Sequence, residues 1–266
     1  MSAKEFYIGW QEKMPGSTRK FLRKMLIPLL ILILLLAMLM VLFQKPFNNH
    51  QFDYGHLKKI SGTYFEIPYP VLLANAGQLP ANSSREILLV GYGKFGASST
   101  MNAIQTKAGN LTGKQITLEG SLIYGDGKTL MELTNNESSF KGITGSQFAL
   151  APAKTEIVSS VLAGEILDPK CYFGVMKPGE GKIHKSCAIR CISGGIPPVL
   201  RSKKAGEDHY QYFLLLNKAG QPINKEILDF VGEPVIITGD QNRNAGWDIL
   251  YLDIKDIKRA KKTDNR

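Results

Sequence analysis

Cysteine is scarce in this sequence: the 266 residues include three cysteines, and no two of them have the C-x-x-C spacing. The missing C-x-x-C-H motif argues against a covalently attached c-type haem, and the missing paired C-x-x-C knuckles argue against the common zinc modules. Neither a nucleophile elbow nor a paired-acid pattern occurs. The sequence therefore gives little support to an enzyme.

The net charge of the middle of the chain is also low, although the net charge of the whole chain is +10. Residues 1–24 and residues 255–266 each carry six basic and two acidic side chains, which leaves 21 basic and 19 acidic side chains between them. A nucleic-acid-binding protein concentrates basic residues on its folded surface. We therefore expect no nucleic-acid partner.

One long uncharged run is present, over residues 25–43. Its 19 residues are enough to cross most of a hydrocarbon layer of about 30 Å, since a helix rises about 1.5 Å per residue. A cleaved signal peptide is the alternative, but its apolar stretch is usually about 7–15 residues and ends at an A-x-A-like site, which is missing here. The run predicts a retained, single transmembrane helix.

The flanking charges predict the orientation of this helix. Residues 1–24 hold six basic side chains, whereas the 17 residues after the run hold three. By the positive-inside rule, residues 1–24 form a cytoplasmic basic segment and the large C-terminal part is periplasmic or extracellular. The protein is expected in the inner, cytoplasmic membrane.

The remainder of the chain has the pattern of a mostly β protein. Residues 44–83 are rich in Asn, Pro, Tyr and Gly and predict an irregular stalk. After them, short segments alternate with period two between Gly, Asn and Asp turns. The predicted strands are Ile87–Val90, Gln115–Glu119, Leu130–Leu133, Glu156–Leu162, Tyr210–Leu216, Pro234–Thr238 and Ile249–Ile254.

An internal repeat refines this fold prediction. The segments 113–120 and 232–239 each place an alternating strand between two glycines seven residues apart. Glycine inside a barrel strand often marks the bend that closure requires. The pattern predicts one or two small OB-like barrels, at 84–150 and 155–260.

The segment from Gly91 to Gly96 has the form G-x-G-x-x-G after a predicted strand. A dinucleotide site would need a well-formed helix after the third glycine, within a βαβ sheet. The following residues are poor helix formers and no second βαβ unit appears. We therefore favour glycines that permit tight β turns over a nucleotide site.

The concentrated chemistry lies between Cys171 and Cys191, which contains all three cysteines and one of the four histidines. His184, Cys187 and Cys191 are spaced at i, i+3 and i+7, which places them within about 60° on one helix face. Cys171 would come from a strand end, and Met176 lies on the loop between. This arrangement predicts a short helix that carries metal ligands.

Three interpretations of this cluster remain open. Thiolate and imidazole groups bind zinc, and with the thioether of Met176 they also bind copper(I), so a zinc, copper or iron centre is possible. A disulfide from Cys171 to Cys187 or Cys191 would suit an oxidising compartment and would leave one thiol unpaired. The third interpretation is three inert, buried thiols.

The same run resembles a group of bacterial exported or membrane-anchored proteins that share a Cys…His-x-x-Cys-Ala-x-x-Cys signature inside a small OB-like β domain. The matching positions include Cys171, His184, Cys187, Ala188 and Cys191. No activity is established for that group, so the resemblance implies a fold and a location but no reaction.

These observations lead to two functional hypotheses. The first is a membrane-tethered module that faces outward, binds a metal or redox centre through the Cys/His cluster, and serves as an accessory subunit of a membrane complex. The second is a structural or assembly subunit in which a disulfide staples a loop and no cofactor is bound.

Overall fold

The structure is a computed structural model, which describes residues 14–44, 50–80, 83–134, 136–145, 157–203, 206, 209–242 and 246–260. The chain divides into two compact units, Met1–Asn48 and Asn49–Arg266. The first unit contains a single described helix, and the second contains all the described strands.

Helix α1 spans Gly16–Phe43 and is exposed along its length. Its 28 residues correspond to about 42 Å at 1.5 Å per residue, and in the described part of the chain it is the one helix long and apolar enough to cross a membrane. It begins at Gly16 rather than at the predicted Met25, because Arg and Lys between these positions are good helix formers. This helix could therefore span a membrane.

The first β body of the second unit is built from six strands and one helix. The strands are β1 (Gln51–Phe65), β2 (Val71–Ala74), β3 (Glu86–Val90), β4 (Gln115–Gly125), β5 (Lys128–Leu133) and β6 (Phe140–Gly145). Their order is β1-β2-β3-β5-β4-β6, and an additional β1–β4 pairing joins the ends of a five-strand circuit. We call β1–β5 the first barrel; β6 pairs with the first half of β4.

The position of β1 and β2 corrects the predicted stalk. Both strands lie within 44–83, and β1 pairs antiparallel with β2 and with β4. Most of the first half of β1 is exposed, and its pairing register shifts between Phe52 and Leu57. A strand of this kind lacks the alternating apolar face from which strands are recognised, so the first barrel begins about 33 residues before the predicted boundary at residue 84.

The second barrel is closed and contains the remaining five strands, in the order β10-β11-β9-β8-β7. These strands are β7 (Ile157–Leu167), β8 (Val199–Lys203), β9 (Tyr210–Asn217), β10 (Pro234–Asn242) and β11 (Asp248–Arg259). Helix α3 (Gly181–Ser193) lies in the connection between β7 and β8.

The two barrels share one topology. In each, the first strand pairs with the second and the fourth, and the third pairs in parallel with the fifth. The result is a mostly β protein whose closed five-strand barrel is consistent with the small OB type, as the sequence predicts.

The predicted repeat occupies equivalent positions, since its two segments contain β4 and β10, the fourth strand of each circuit. A Cβ atom on Gly120 would lie 2.3 Å from the carbonyl oxygen of Glu132, and one on Gly239 would lie 2.5 Å from that of Tyr251. These strands cross their neighbours too closely for any side chain, so both positions require glycine.

Helix α2 (Ser98–Ala108) follows β3 and corrects the prediction that this segment is a poor helix. Met101 and Ile104 are fully buried in the core of the first barrel, and tertiary packing of this kind stabilises helices that have weak intrinsic propensity. The chain then enters β4, which is antiparallel to both β1 and β5, so the G-x-G-x-x-G segment does not open a βαβ unit.

Each barrel has its own apolar core, and a third core joins them. The joining core combines residues of the first barrel such as Leu88 and Ile123 with Val199 and Leu214 of the second. It also contains Cys171 and Cys191, so the Cys/His segment belongs to the contact between the barrels.

Candidate metal centre

The first part of the candidate centre follows directly after β7. Asp168 is the first residue after the strand, and its carbonyl oxygen accepts a hydrogen bond from the backbone N–H of Tyr172 at 3.0 Å. The chain then makes a π-helical turn over Cys171–Val175, in which the carbonyl oxygen of Cys171 accepts a hydrogen bond from the backbone N–H of Met176 at 3.0 Å. This turn places Cys171 in the core between the barrels, with 7% of its surface exposed.

Helix α3 supplies the second part. His184 and Cys191 are buried on this helix and Cys187 is half-buried, so the spacing of the three residues does place them on the inner face. The helix ends at Gly194, whose backbone N–H returns to the carbonyl oxygen of Arg190 at 3.0 Å. The short Cys/His-bearing helix predicted from the sequence is therefore present.

The three thiols converge. The Sγ atom of Cys171 lies 4.0 Å from that of Cys187 and 3.9 Å from that of Cys191, and all three cysteines are free. Sulfur atoms at two corners of a tetrahedron around zinc are about 3.8 Å apart, because the Zn–S bond is about 2.3 Å long. The thiols are therefore spaced like ligands of one metal ion.

His184 belongs to a second group, which also contains Asp168 and Cys171. The ligand atoms of these three residues lie within 4.8 Å of one another, and all three residues are buried. The sequence predicted one four-ligand point with His184 beside the thiols; the structure instead divides the side chains into two sets of three that share Cys171. Either set could hold a metal ion.

Met176, the fifth predicted ligand, lies at the end of the π-helical turn with 38% of its surface exposed. Its exposure contrasts with the burial of Cys171 and Cys191. The structure gives no support to a thioether ligand at this position, which stays a prediction from the sequence.

The turn Gly91–Gly96 of the first barrel lies against the end of α3. The N–H of Gly96 donates to the carbonyl oxygen of Gly194 at 3.0 Å, and a Cβ atom on Gly96 would lie 2.1 Å from the carbonyl oxygen of Gly195. The backbone of the turn therefore contacts the backbone at the end of α3, and no side chain fits between them. The glycines of this motif therefore permit a tight turn and a close approach between the barrels.

Lys94 extends from this turn to the centre. Its Nζ atom donates a hydrogen bond to the Sγ atom of Cys187 at 3.4 Å. This bond is the largest cause of the raised pKa of Lys94, followed by the charge of Cys187. An ammonium group at this distance would offset part of the negative charge of a metal-bound thiolate.

Lys170 also holds the turn Gly91–Gly96 in place. It is 3% exposed and forms an ion pair with the buried Glu132, and its Nζ atom donates to the carbonyl oxygens of Gly91 at 2.8 Å and Gly93 at 2.6 Å. Buried charges need this kind of full pairing. Lys170 thus connects the Asp168–Cys171 segment to the turn that carries Lys94.

Neighbouring groups and burial favour the protonated thiol of Cys171 and the neutral imidazole of His184 when no metal is bound. The hydrogen bond with the Cys191 thiol, then burial, then the charge of Asp168 raise the pKa of Cys171. Burial is the main cause of the lowered pKa of His184. A bound metal ion would displace the thiol protons and would find His184 already deprotonated.

Two residues of the centre were missed by the sequence analysis. Asp168 precedes Pro169, so it has the pattern of an ordinary turn residue, yet it is completely buried. Lys94 is 93 residues from Cys187 in the chain, and only the packing of the two barrels brings it there. No local sequence signal identifies such a residue.

Comparison with known proteins adds no identity: no protein-family model matches the chain, and no curated protein matches it.

Proposed function

We propose that this protein is a membrane-anchored module that holds a thiophilic metal ion, such as zinc, copper or iron, on the thiolates of Cys171, Cys187 and Cys191. One observation carries the proposal: three free thiols from two separate segments converge, with the Cys171 sulfur 4.0 and 3.9 Å from the other two and all three sulfur atoms within 4.8 Å of one another. These are all the cysteines of the chain, and their separation suits a single ion rather than chance burial.

The surroundings of the thiols support binding rather than catalysis. Cys171 and Cys191 lie within an apolar core, and Cys187 is half-buried beneath Lys94. Burial of the thiolates in an apolar core limits the access of water and substrates, which suits a metal ion that stabilises a fold or carries electrons. The function is therefore that of a binding or redox-accessory module.

The location of the module is the second part of the proposal. Helix α1 anchors it in the inner membrane with residues 1–24 in the cytoplasm, and the barrels face the periplasm or the exterior. The turn that carries Lys94 also exposes Tyr92 at 49% and Phe95 at 63%. Exposed aromatic side chains beside the centre suit contact with another subunit of a membrane complex.

The test is the metal content of the full-length protein, purified in detergent under reducing, oxygen-free conditions. Elemental analysis should find at least one equivalent of zinc, copper or iron per chain, and Cys187→Ser or Cys191→Ser should remove most of it. Arg190→Ala is the matched control, since Arg190 is an exposed residue of α3. A metal-free wild-type protein would contradict the proposal, and one disulfide in a sample purified without reductant would favour the structural subunit.

A further inference from the structure

Three polar atoms beside the thiols are buried and have no hydrogen-bond partner among the described residues. They are Oδ2 of Asp168 and both ring nitrogens, Nδ1 and Nε2, of His184. Asp168 is 0% exposed and His184 is 3% exposed, so bulk solvent does not reach these atoms. A buried polar group left unpaired is destabilising, which makes such groups rare in native proteins.

The other carboxylate oxygen of Asp168 already accepts a hydrogen bond. Its Oδ1 atom accepts the backbone N–H of Lys170 at 2.9 Å. That bond fixes the carboxylate and leaves Oδ2 without a partner among the described residues, and a carboxylate oxygen of Asp168 lies within 4.8 Å of the ligand atoms of His184 and Cys171. The arrangement is typical of a carboxylate oriented as a metal ligand by one backbone contact.

We infer that Asp168 and His184 bind a second metal ion and that the thiolate of Cys171 bridges it to the ion held by Cys187 and Cys191. Cys171 is the one residue common to both ligand sets. A carboxylate, an imidazole and a thiolate together form a donor set that suits zinc. This inference rests on the proposed function, because the first ion occupies the site described there.

Charge balance supports two ions over one. With all ligands deprotonated, Asp168 and the three cysteines carry four negative charges, and His184 is neutral. One divalent ion would leave two of these charges uncompensated in the apolar core between the barrels, whereas two divalent ions balance all four. An uncompensated buried charge is strongly destabilising. With one ion bound, Lys94 would offset one of the two remaining charges at Cys187 and the other would stay buried and unpaired; with two ions bound, the charge of Lys94 is exposed to solvent. The charge of Lys170 is already matched by Glu132.

The test is the zinc stoichiometry of the full-length protein in detergent, loaded with zinc under reducing conditions and freed of loosely bound ions. The wild-type protein should retain two zinc ions per chain. His184→Ala and Asp168→Asn should each retain one, and Cys171→Ser should retain fewer than one because it removes the bridge. His56→Ala, at an exposed position of β1, is the matched control and should retain two.

The outcomes separate this inference from the proposed function. One zinc ion in the wild-type protein that His184→Ala retains would overturn the second site and leave the thiolate site intact. One zinc ion that His184→Ala loses would overturn the two-ion arrangement and would contradict the thiolate site as well, because His184 is not one of its ligands. No zinc in the wild-type protein would overturn both. Because the wild-type stoichiometry decides the question alone, a variant that fails to fold does not remove the test.

Discussion

The Nζ atom of Lys94 lies 3.4 Å from the Sγ atom of Cys187, so a side chain of the first barrel donates a hydrogen bond to a candidate ligand of the second. The candidate centre is therefore completed across the contact between the barrels. Neither barrel alone contains both groups, and the positive charge that favours a thiolate arrives only when the barrels are joined.

Replacing Lys94 by Met should slow alkylation of Cys187 in the metal-free protein several-fold at neutral pH. The ammonium group of Lys94 donates a hydrogen bond to the Cys187 sulfur and stabilises negative charge on it, so its loss should make this sulfur a poorer nucleophile. Iodoacetamide labelling followed by peptide mass spectrometry, repeated over a range of pH, measures this rate. Lys182→Met, an exposed lysine of α3, is the control, and equal rates in both variants would contradict the role of Lys94.

The buried ion pair between Lys170 and Glu132 should be far more important to stability than an exposed one. Lys170→Met leaves Glu132, which is 8% exposed, without its partner, so the free energy of unfolding should fall by about 3–5 kcal/mol. Lys59→Met removes a pair with Glu119 in which the lysine side chain is 65% exposed, and should cost only about 0–1 kcal/mol. Urea titration in detergent measures both.

A double variant separates the loss of charge balance from the loss of packing. Lys170→Met combined with Glu132→Leu should recover part of the stability, because no unpaired charge then stays buried. If the single and double variants were equally destabilised, the account of this ion pair would be wrong.

Acid sensitivity should depend in part on Glu233. Hydrogen bonds from Lys185 of α3 and from Arg259 lower the pKa of this carboxyl from 4.5 to about 2. The folded state therefore holds its proton less tightly than the unfolded state, and the contribution to stability is present above pH 4.5 and is lost as the pH falls towards about 2. The Glu233 side chain is half-buried, but that of its partner Arg259 is 55% exposed, so solvent screening reduces this contribution.

Glu233→Gln should accordingly flatten the decline in stability of the metal-free protein between pH 4.5 and about 2. Thermal unfolding at a series of pH values measures the slope. Glu226→Gln, at an exposed position of the same barrel, should leave the slope unchanged. A slope that is the same in wild type and Glu233→Gln would contradict the assignment.

The orientation of α1 is open to a direct test. In cells whose outer barrier has been opened, added protease should digest the chain beyond about residue 45 and spare the first two dozen residues, because basic side chains precede the apolar run. Neutralising Arg19, Lys20, Arg23 and Lys24 together should increase the fraction of chains with a protected C-terminal part. Complete protection in the wild type would place the barrels in the cytoplasm.

Much of the fold can be predicted from alternation and glycine spacing, because one face of each such strand is buried. All seven predicted strands coincide with observed ones, and the repeat marks β4 and β10 correctly. The strands that escaped prediction lack an alternating face. In β2 all four residues are apolar, whereas β6 is mostly exposed and pairs with only half of β4.

The candidate centre could be predicted only where its residues share one element. The spacing of His184, Cys187 and Cys191 fixes a helix face without knowledge of the rest of the fold. The division into two ligand sets and the contact of Lys94 depend on how the barrels pack, which involves close backbone contacts such as that between Gly96 and Gly194. Helix α2 was not predicted from the sequence for a related reason, because its stability comes from the burial of Met101 and Ile104.

X-ray absorption spectroscopy at the edge of the bound metal tests the central claim most directly, since it counts the sulfur atoms around the ion. For the full-length protein in detergent we predict a sulfur shell at about 2.3 Å, the distance of a metal–thiolate bond. Cys187→Ser and Cys191→Ser should each reduce the number of sulfur atoms in this shell, while Arg190→Ala should leave it unchanged. A spectrum with nitrogen and oxygen neighbours alone would contradict a thiolate-bound metal in this protein.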